Sequence, residues 1–435
     1  MKYTSSILAI SLFMFFAGCS RKQPVVNEND IVAYIAKMPA EPAALKSVND
    51  DLSFWQARIT ERPDAISAQT KVAGLLVKGF EYTGNIAALH QSDSLYTLAN
   101  KLVKMNSSSV YRALAANAIT QHRFLKAQTY LDSAYNLGDD KYLTLLMQFD
   151  VAMELGNYAA AQKKLKQLNA ADSFEKLIRQ AKYEDHVNGK LEKAILLMEK
   201  AVLQVNRDNK ALYCWAKSNL ADMYGHANRF DDAYKNYLEV LKEDSAYYHC
   251  LKGIAWLAFS HDKNTVLAEK ILTALKKVHP IADYDLMLAD IAAFENKNIK
   301  SARLLQQYYK QTINYLYGDM YKRYHFNLQA DNFGNYETAL KLATEEVRNR
   351  PTATSYDLLA WAYYKNGAVT EAVNIIKSNV ENRVFEPGAL YHMGIIYKAA
   401  GNKQKAKQYL KEANNAAYEL GPVLSKEIQK ELESI

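Results

Sequence analysis

Three histidines stand at matching places along the chain, His186, His226 and His261. Imidazoles brought together could hold a transition metal, but no carboxylate or thiol accompanies these three at ligand spacing. Packing or surface roles are the reading, and no metal or cofactor is expected. Catalytic signatures are missing as well. There is no Gly-rich phosphate loop, no His-Glu-x-x-His and no Gly-x-Ser-x-Gly. No catalytic residue is assigned, and an enzyme is not expected. Cys214 and Cys250 lie near the starts of helices in successive repeats, and packed helices are about 8–10 Å apart, beyond the reach of a disulfide, so both are expected to be buried free thiols. Tyrosine has the most to offer: 31 residues, against 14 Phe and 4 Trp. It joins a large apolar ring to a polar hydroxyl at low conformational cost, which suits contact surfaces.

Such side chains need elements to position them. Only 16 Gly and 8 Pro occur in 435 residues, which argues for helices with short connections rather than a sandwich or barrel. One tract recurs: a helical stretch, a polar pair often Gly-Asn, three residues, then Ala and a second helical stretch. The alanines are Ala127, Ala161, Ala194, Ala233, Ala268, Ala302, Ala339, Ala372 and Ala406. Their spacing centres on 34, with longer steps after Ala194 and Ala302 that predict longer helices or protruding loops. Apolar residues at helical spacing give each hairpin a face that only a neighbouring hairpin can bury.

A period near 34 with this pattern resembles the tetratricopeptide repeat (TPR). The clearest copy is 387–420, where Leu390, Met393, Gly394 and Tyr397 match the first-helix signature and Ala406, Leu410 and Ala413 the second. The resemblance implies an all-α, right-handed superhelical solenoid of about nine to ten TPR-type hairpins. It also implies that first helices line a concave face through positions 2, 5, 9, 12 and 13. Carried across, these are Tyr284, Met287, Ile291 and Phe294 in one repeat, and Tyr321, Tyr324, Leu328 and Asp331 in the next. Asp357, Trp361 and Tyr364 follow, then Tyr391. Two readings stand for this set: an aromatic groove for an extended peptide or partner helix, or knobs between packed helices. The Lys and Asn positions of the family's carboxylate clamp are not matched.

Residues 1–18 read as a signal peptide, with Lys2, a short apolar run from Ile7 to Phe16, and small residues before Cys19. Phe16-Ala17-Gly18-Cys19 resembles the lipobox of bacterial lipoproteins, which implies cleavage before Cys19 and its lipidation. Ser20, rather than Asp, implies the outer membrane of a Gram-negative cell, and Arg21 and Lys22, without the acidic run of surface-displayed lipoproteins, imply that it faces the periplasm. The division expected is 1–18 signal peptide, 19–40 lipidated tether, 41–107 capping helix and degenerate repeat, 108–420 repeat array, and 421–435 C-terminal capping helix. The formal net charge is +7 and the basic residues do not cluster; nucleic acid is therefore not expected as a partner in this compartment. The function expected is a membrane-tethered scaffold for another envelope protein or a peptide segment of one. The alternative is a SusD-like glycan- or nutrient-binding lipoprotein.

Overall fold

The computed structural model describes residues 23–39, 41–168 and 172–435; Cys19 and the apolar run before it lie outside them. Among the described residues the chain is helical throughout, without strands. Helices α1 (Glu28–Lys37) and α2 (Ala43–Glu61) come first. Ten hairpins follow: α3 (Ile66–Thr83) with α4 (Ile86–Leu102), α5 (Ser108–Thr120) with α6 (Phe124–Leu137), α7 (Lys141–Glu154) with α8 (Tyr158–Gln167), α9 (Phe174–His186) with α10 (Leu191–Leu203), α11 (Lys210–His226) with α12 (Phe230–Glu243), α13 (Tyr248–Trp256) with α14 (Thr265–Val278), α15 (Asp283–Phe294) with α16 (Asn298–Thr312), α17 (Lys322–Asn327) with α18 (Tyr336–Asn349), α19 (Ala353–Lys365) with α20 (Val369–Ile375), and α21 (Pro387–Ala399) with α22 (Lys403–Asn415). Helix α23 (Ala417–Glu433), bent at Gly421 ahead of Pro422, closes the array.

The recurring polar pair has a local cause. Each of the ten hairpin turns holds one residue in the left-handed region: Gly84, His122, Gly156, Gly189, Asn228, Lys263, Asn296, Gly334, Gly367 and Gly401, with φ from 55° to 81°. This residue stops the first helix, and glycine meets the conformation without a Cβ penalty. The next residue caps the second helix. Asn85, Asn157, Asn264 and Asn402 do so with side-chain oxygens that accept from a backbone N–H of the first turn. Gly-Asn is thus one helix stop followed by one helix start.

The alanines lie where the two helices of a hairpin cross, and eight of the nine are fully buried. Ala302 is the exception: it is exposed, and Ser301 takes the crossing position at 8 % exposure. Its turn hinges on Asn296, one residue earlier than the Lys297-Asn298 pair suggests. Ala233→Leu is expected to overpack such a crossing and to cost about 1–3 kcal/mol in urea unfolding; an unchanged unfolding midpoint would refute the crossing assignment.

The array curls until it meets itself. Arg350 Nη1 donates to Glu154 Oε2 at 3.0 Å, Asn349 Nδ2 donates to the His122 carbonyl at 3.1 Å, and His90 Nε2 lies 2.7 Å from the Leu316 carbonyl. Trp256 Nε1 and Ser260 Oγ both donate to the Tyr418 carbonyl, at 3.1 and 2.6 Å. Hairpin turns in the first half of the chain therefore stack on inter-hairpin loops in the second half. Glu154 and Arg350 are 196 residues apart. The extra residues after Ser301 serve this seam, since the 3-10 turn Tyr315–Tyr317 carries the Leu316 carbonyl across to α4.

The N-terminal segment departs from a flexible tether. Val25 N and Val26 N donate to the two Asp262 carboxylate oxygens, both at 2.9 Å. Asn27 N donates to Tyr234 Oη at 3.3 Å, and Val26 and Ile31 are buried. Helix α1 is therefore docked on α12 and α14.

Candidate functional site

The inward faces of the first helices are the surface that a partner could enter, and the crossing residues decide which side chains lie there. Tyr284 is 1 % exposed and its Oη meets His279 Nδ1 at 2.8 Å. Met287 and Ile291 are buried with it. With Ser301 at the crossing, every inward position in this hairpin moves back by one residue, to Asp283, Leu286 and Asp290. Asp290 is indeed exposed.

A second shift has a different cause. The π-helical turn Leu328–Asn332 adds one residue to the end of α17. That rotates the preceding turn, buries Leu328 and exposes Arg323, Tyr324 and Asn327. Tyr324 is 47 % exposed. Asp290, Arg323 and Asn327 escape the sequence reading for these two reasons. The available signal was Asn296, which tolerates the left-handed region better than Lys297 does.

The remaining candidates divide into two groups. In the first, Tyr321 and Tyr324 join Tyr308 and Tyr317 in edge-to-face and tilted contacts, with ring centroids 4.9–6.3 Å apart. Tyr308 is fully buried at their centre. In the second, Trp361 is 3 % exposed, stacked between Tyr364 and His392, and donates from Nε1 to Asp331 Oδ1 at 2.9 Å. Asp357 is buried, with Oδ2 2.9 Å from His392 Nδ1. Tyr391 is buried and donates to Glu427 Oε1 of α23 at 2.7 Å. Of the seven candidates, Tyr284, Asp357, Trp361 and Tyr391 are packed inside, Tyr321 and Tyr364 are half-buried, and Tyr324 is open.

Charged side chains on neighbouring first helices are mostly paired across the groove. Arg179 Nη2 meets Asp150 Oδ2 at 2.6 Å, His249 Nε2 meets Asp222 Oδ2 at 2.8 Å, and Lys252 Nζ lies 4.0 Å from Asp283 Oδ2. Asp290 has no such partner among the described residues. Surrounding protein lifts its carboxyl to about 7 by desolvation, although its side chain meets solvent.

Desolvation penalises the charged form. Stability is therefore greatest below the unfolded-state value near 4 and falls as pH rises through about 7. Asp290→Asn is expected to remove this slope and to stabilise the protein at pH 8 by about 1 kcal/mol, allowing for solvent screening of the carboxylate. A stability difference between the two proteins that grows from pH 4 to pH 7 and is level above it is the result to look for; parallel pH profiles would contradict it.

The three histidines meet carboxylates along the seam. His186 Nδ1 lies 3.5 Å from Glu386 Oε1, His226 Nδ1 3.2 Å from Glu419 Oε2, and His261 Nδ1 2.8 Å from Asp262 Oδ1. The bond to Glu386 raises the pKa of His186. Two of these partners lie about 200 residues away in sequence, where no local spacing points to them. No group of three or more ligands suited to a metal occurs among the described residues. Cys214 and Cys250 are free and buried, and burial pushes the Cys214 thiol up to about 11. No described helix is long and apolar enough to cross a membrane.

No family model matches the sequence, and no curated protein matches it. Some solved structures are similar to parts of it. A tetratricopeptide repeat protein from Parabacteroides merdae is 17 % identical with a TM-score of 0.35, over 60 % of this chain and 97 % of that one. The human IFIT1 dimer with PPP-AAAA is 14 % identical with a TM-score of 0.46, over 72 % of this chain and 71 % of that one. The IFIT1 dimer with m7Gppp-AAAA gives the same identity and TM-score. Likeness at this level concerns fold alone. The expectation that nucleic acid is no partner does not stand, because the IFIT1 structures hold PPP-AAAA and m7Gppp-AAAA in a helical-repeat fold. The consecutive packed helix pairs of this chain form a TPR-like helical solenoid.

Proposed function

We propose that this chain is a membrane-tethered scaffold of a bacterial envelope, which grips a segment of a partner protein inside its superhelix. The observation that carries the reading is Asp290, an exposed carboxylate without a cationic partner among the described residues, on a run of first helices whose other charges are largely matched. A basic side chain of the partner would pair with it there. Tyr324 on the following hairpin offers the accompanying apolar contact. The tether rests on the lipobox-like tract ending at Cys19.

The test is crosslinking in intact cells followed by mass spectrometry. The native chain is expected to recover an envelope protein with crosslinks on the inner face near Asp290 and Tyr324. Asp290→Asn with Tyr324→Ala should lose most of that yield while the helical circular dichroism holds. Undiminished recovery by the double variant would reject the interior as the binding site. Cys19→Ala is expected to release the folded protein from membranes; persistent membrane association would reject the lipid anchor.

A further inference from the structure

The seam repeats one arrangement at two successive places. The loop before α21 presents Phe385 and then Glu386, and the start of α23 presents Tyr418 and then Glu419. Each aromatic ring lies on a glycine of an earlier hairpin. A Cβ on Gly189 would meet the Phe385 ring at 2.6 Å, and one on Gly225 would meet the Tyr418 ring at 2.9 Å. Each acid then meets the histidine near that glycine. Glu386 Oε1 lies 3.5 Å from His186 Nδ1, and Glu419 Oε2 lies 3.2 Å from His226 Nδ1. Other contacts of the seam differ in kind: Arg350 brings a permanent charge to Glu154, and Asn349 and His90 meet backbone carbonyls.

A third acid joins the two pairs. Asp185 Oδ2 on α9 stands 3.9 Å from His186 Nε2, and the charges of His226 and Glu386 also reach it. Lys182 of α9 and Arg323 of α17 act on the group as further cations, and Tyr158 of α8 lies within range of Glu386. Lys182 is already paired with Glu154 at 2.9 Å. With both imidazoles protonated, two cations lie among three carboxylates across the seam. With both neutral, the three carboxylates keep only Arg323 and the engaged Lys182 to balance them.

We propose that this end of the seam is a pH-sensitive latch, in which protonated His186 and His226 hold the segments bearing Glu386 and Glu419 on the earlier hairpins, and loss of those protons loosens both segments together. The signs agree. The bond to Glu386 raises the pKa of His186, so its stabilisation is whole below the ordinary value of 6.5 and is lost as pH rises through the raised value. The same bond lowers Glu386, whose contribution is lost only as pH falls below the carboxylate range. Burial raises Asp185 and Glu419, so their ionisation opposes closure as pH rises. His122, at the turn between α5 and α6, acts the other way: burial and Arg350 lower its pKa, and its contribution is lost as pH falls below 6.5. Both latch histidines are about half in solvent, at 49 % and 46 % exposure, so they exchange protons freely and added salt weakens the latch.

The test is hydrogen exchange of the full-length protein at pH 6 and pH 8, with each rate divided by its intrinsic chemical rate. Segments 383–390 and 416–421 are expected to lose protection several-fold at pH 8, while 353–365 in α19 holds. His186→Gln with His226→Gln should bring the two segments at pH 6 down to the native level at pH 8. Glu386→Gln with Glu419→Gln should also flatten the pH response, and it guards against a fold defect peculiar to the first variant. A native protein whose two segments are equally protected at both pH values overturns the latch. So does a pH response that survives in either double variant, or an equal loss across α19.

Discussion

Trp361→Ala is expected to destabilise the C-terminal hairpins by about 3–5 kcal/mol, the range for removing a buried large aromatic. The indole is 3 % exposed and lies between Tyr364, at a ring distance of 4.9 Å, and His392, at 4.2 Å and nearly parallel. Its N–H reaches Asp331 on the preceding hairpin, and Lys365 Nζ lies 5.1 Å from the ring centroid. Truncation opens a cavity, removes a stacking partner from His392 and leaves Asp331 Oδ1 with Lys365 alone, at 3.2 Å. Tyr324→Ala is the contrast. That ring is half in solvent, with its aromatic neighbours 6.3 Å away, and a loss within about 0.5 kcal/mol is expected. Hydrogen exchange should show faster opening across 353–399 for the first variant and little change for the second. Similar protection in both would mean that Trp361 is not a core residue.

Arg350→Ala should cost about as much, roughly 3–5 kcal/mol, and should also change the shape of the molecule. The guanidinium bonds Glu346 through Nε at 2.7 Å and Nη2 at 2.6 Å, and reaches across the seam to Glu154 at 3.0 Å. It also sits over the Phe124 ring, 5.5 Å from the centroid. Glu346 is 2 % exposed, so removal of the arginine leaves a buried carboxylate without its counter-ion. Burial alone would raise the Glu154 carboxyl, but Lys182 and Arg350 outweigh it and hold the pKa below the ordinary value. The stabilisation from Glu154 is therefore present above the ordinary carboxylate range and is lost as pH falls through the depressed value. Small-angle scattering of Arg350→Ala should show a larger radius of gyration as successive turns separate, and Arg350→Lys should recover only part of the loss because it cannot bond both acids in a fork. A variant with unchanged urea midpoint and unchanged radius would show that the seam does not hold the turns together.

Much of the local architecture was readable in the chain because its causes are local. Gly-Asn encodes a left-handed stop and an N-cap in two residues, and an alanine five places after the stop marks the helix crossing. The one slip, Ala302 for Ser301, arose because a small residue stood on either side of the true frame. It moved Tyr284 inward on paper and hid Asp290. The π-turn at Leu328 acted similarly, since an inserted residue rotates a helix without any change in composition. The pairing of Glu154 with Arg350 and of His186 with Glu386 was not readable. No periodic pattern links residues about 200 apart; the curvature of the whole array brings them together. The burial of Tyr391 under Glu427 likewise depends on where α23 returns, which no repeat signature states.

The docking of the N-terminal segment has a consequence for the birth of the protein. Val26 and its acceptor on Asp262 are separated by 236 residues. At a synthesis rate of 5–20 residues per second, about 12–50 s pass before that acceptor exists. During this interval the leading segment has no berth on its own body. Any factor that must read or modify the first residues meets an uncommitted chain, and the finished solenoid then closes over the stretch that follows. The order of manufacture thus leaves residues 25–31 accessible early and withdraws them once the thirteenth and fourteenth helices have formed.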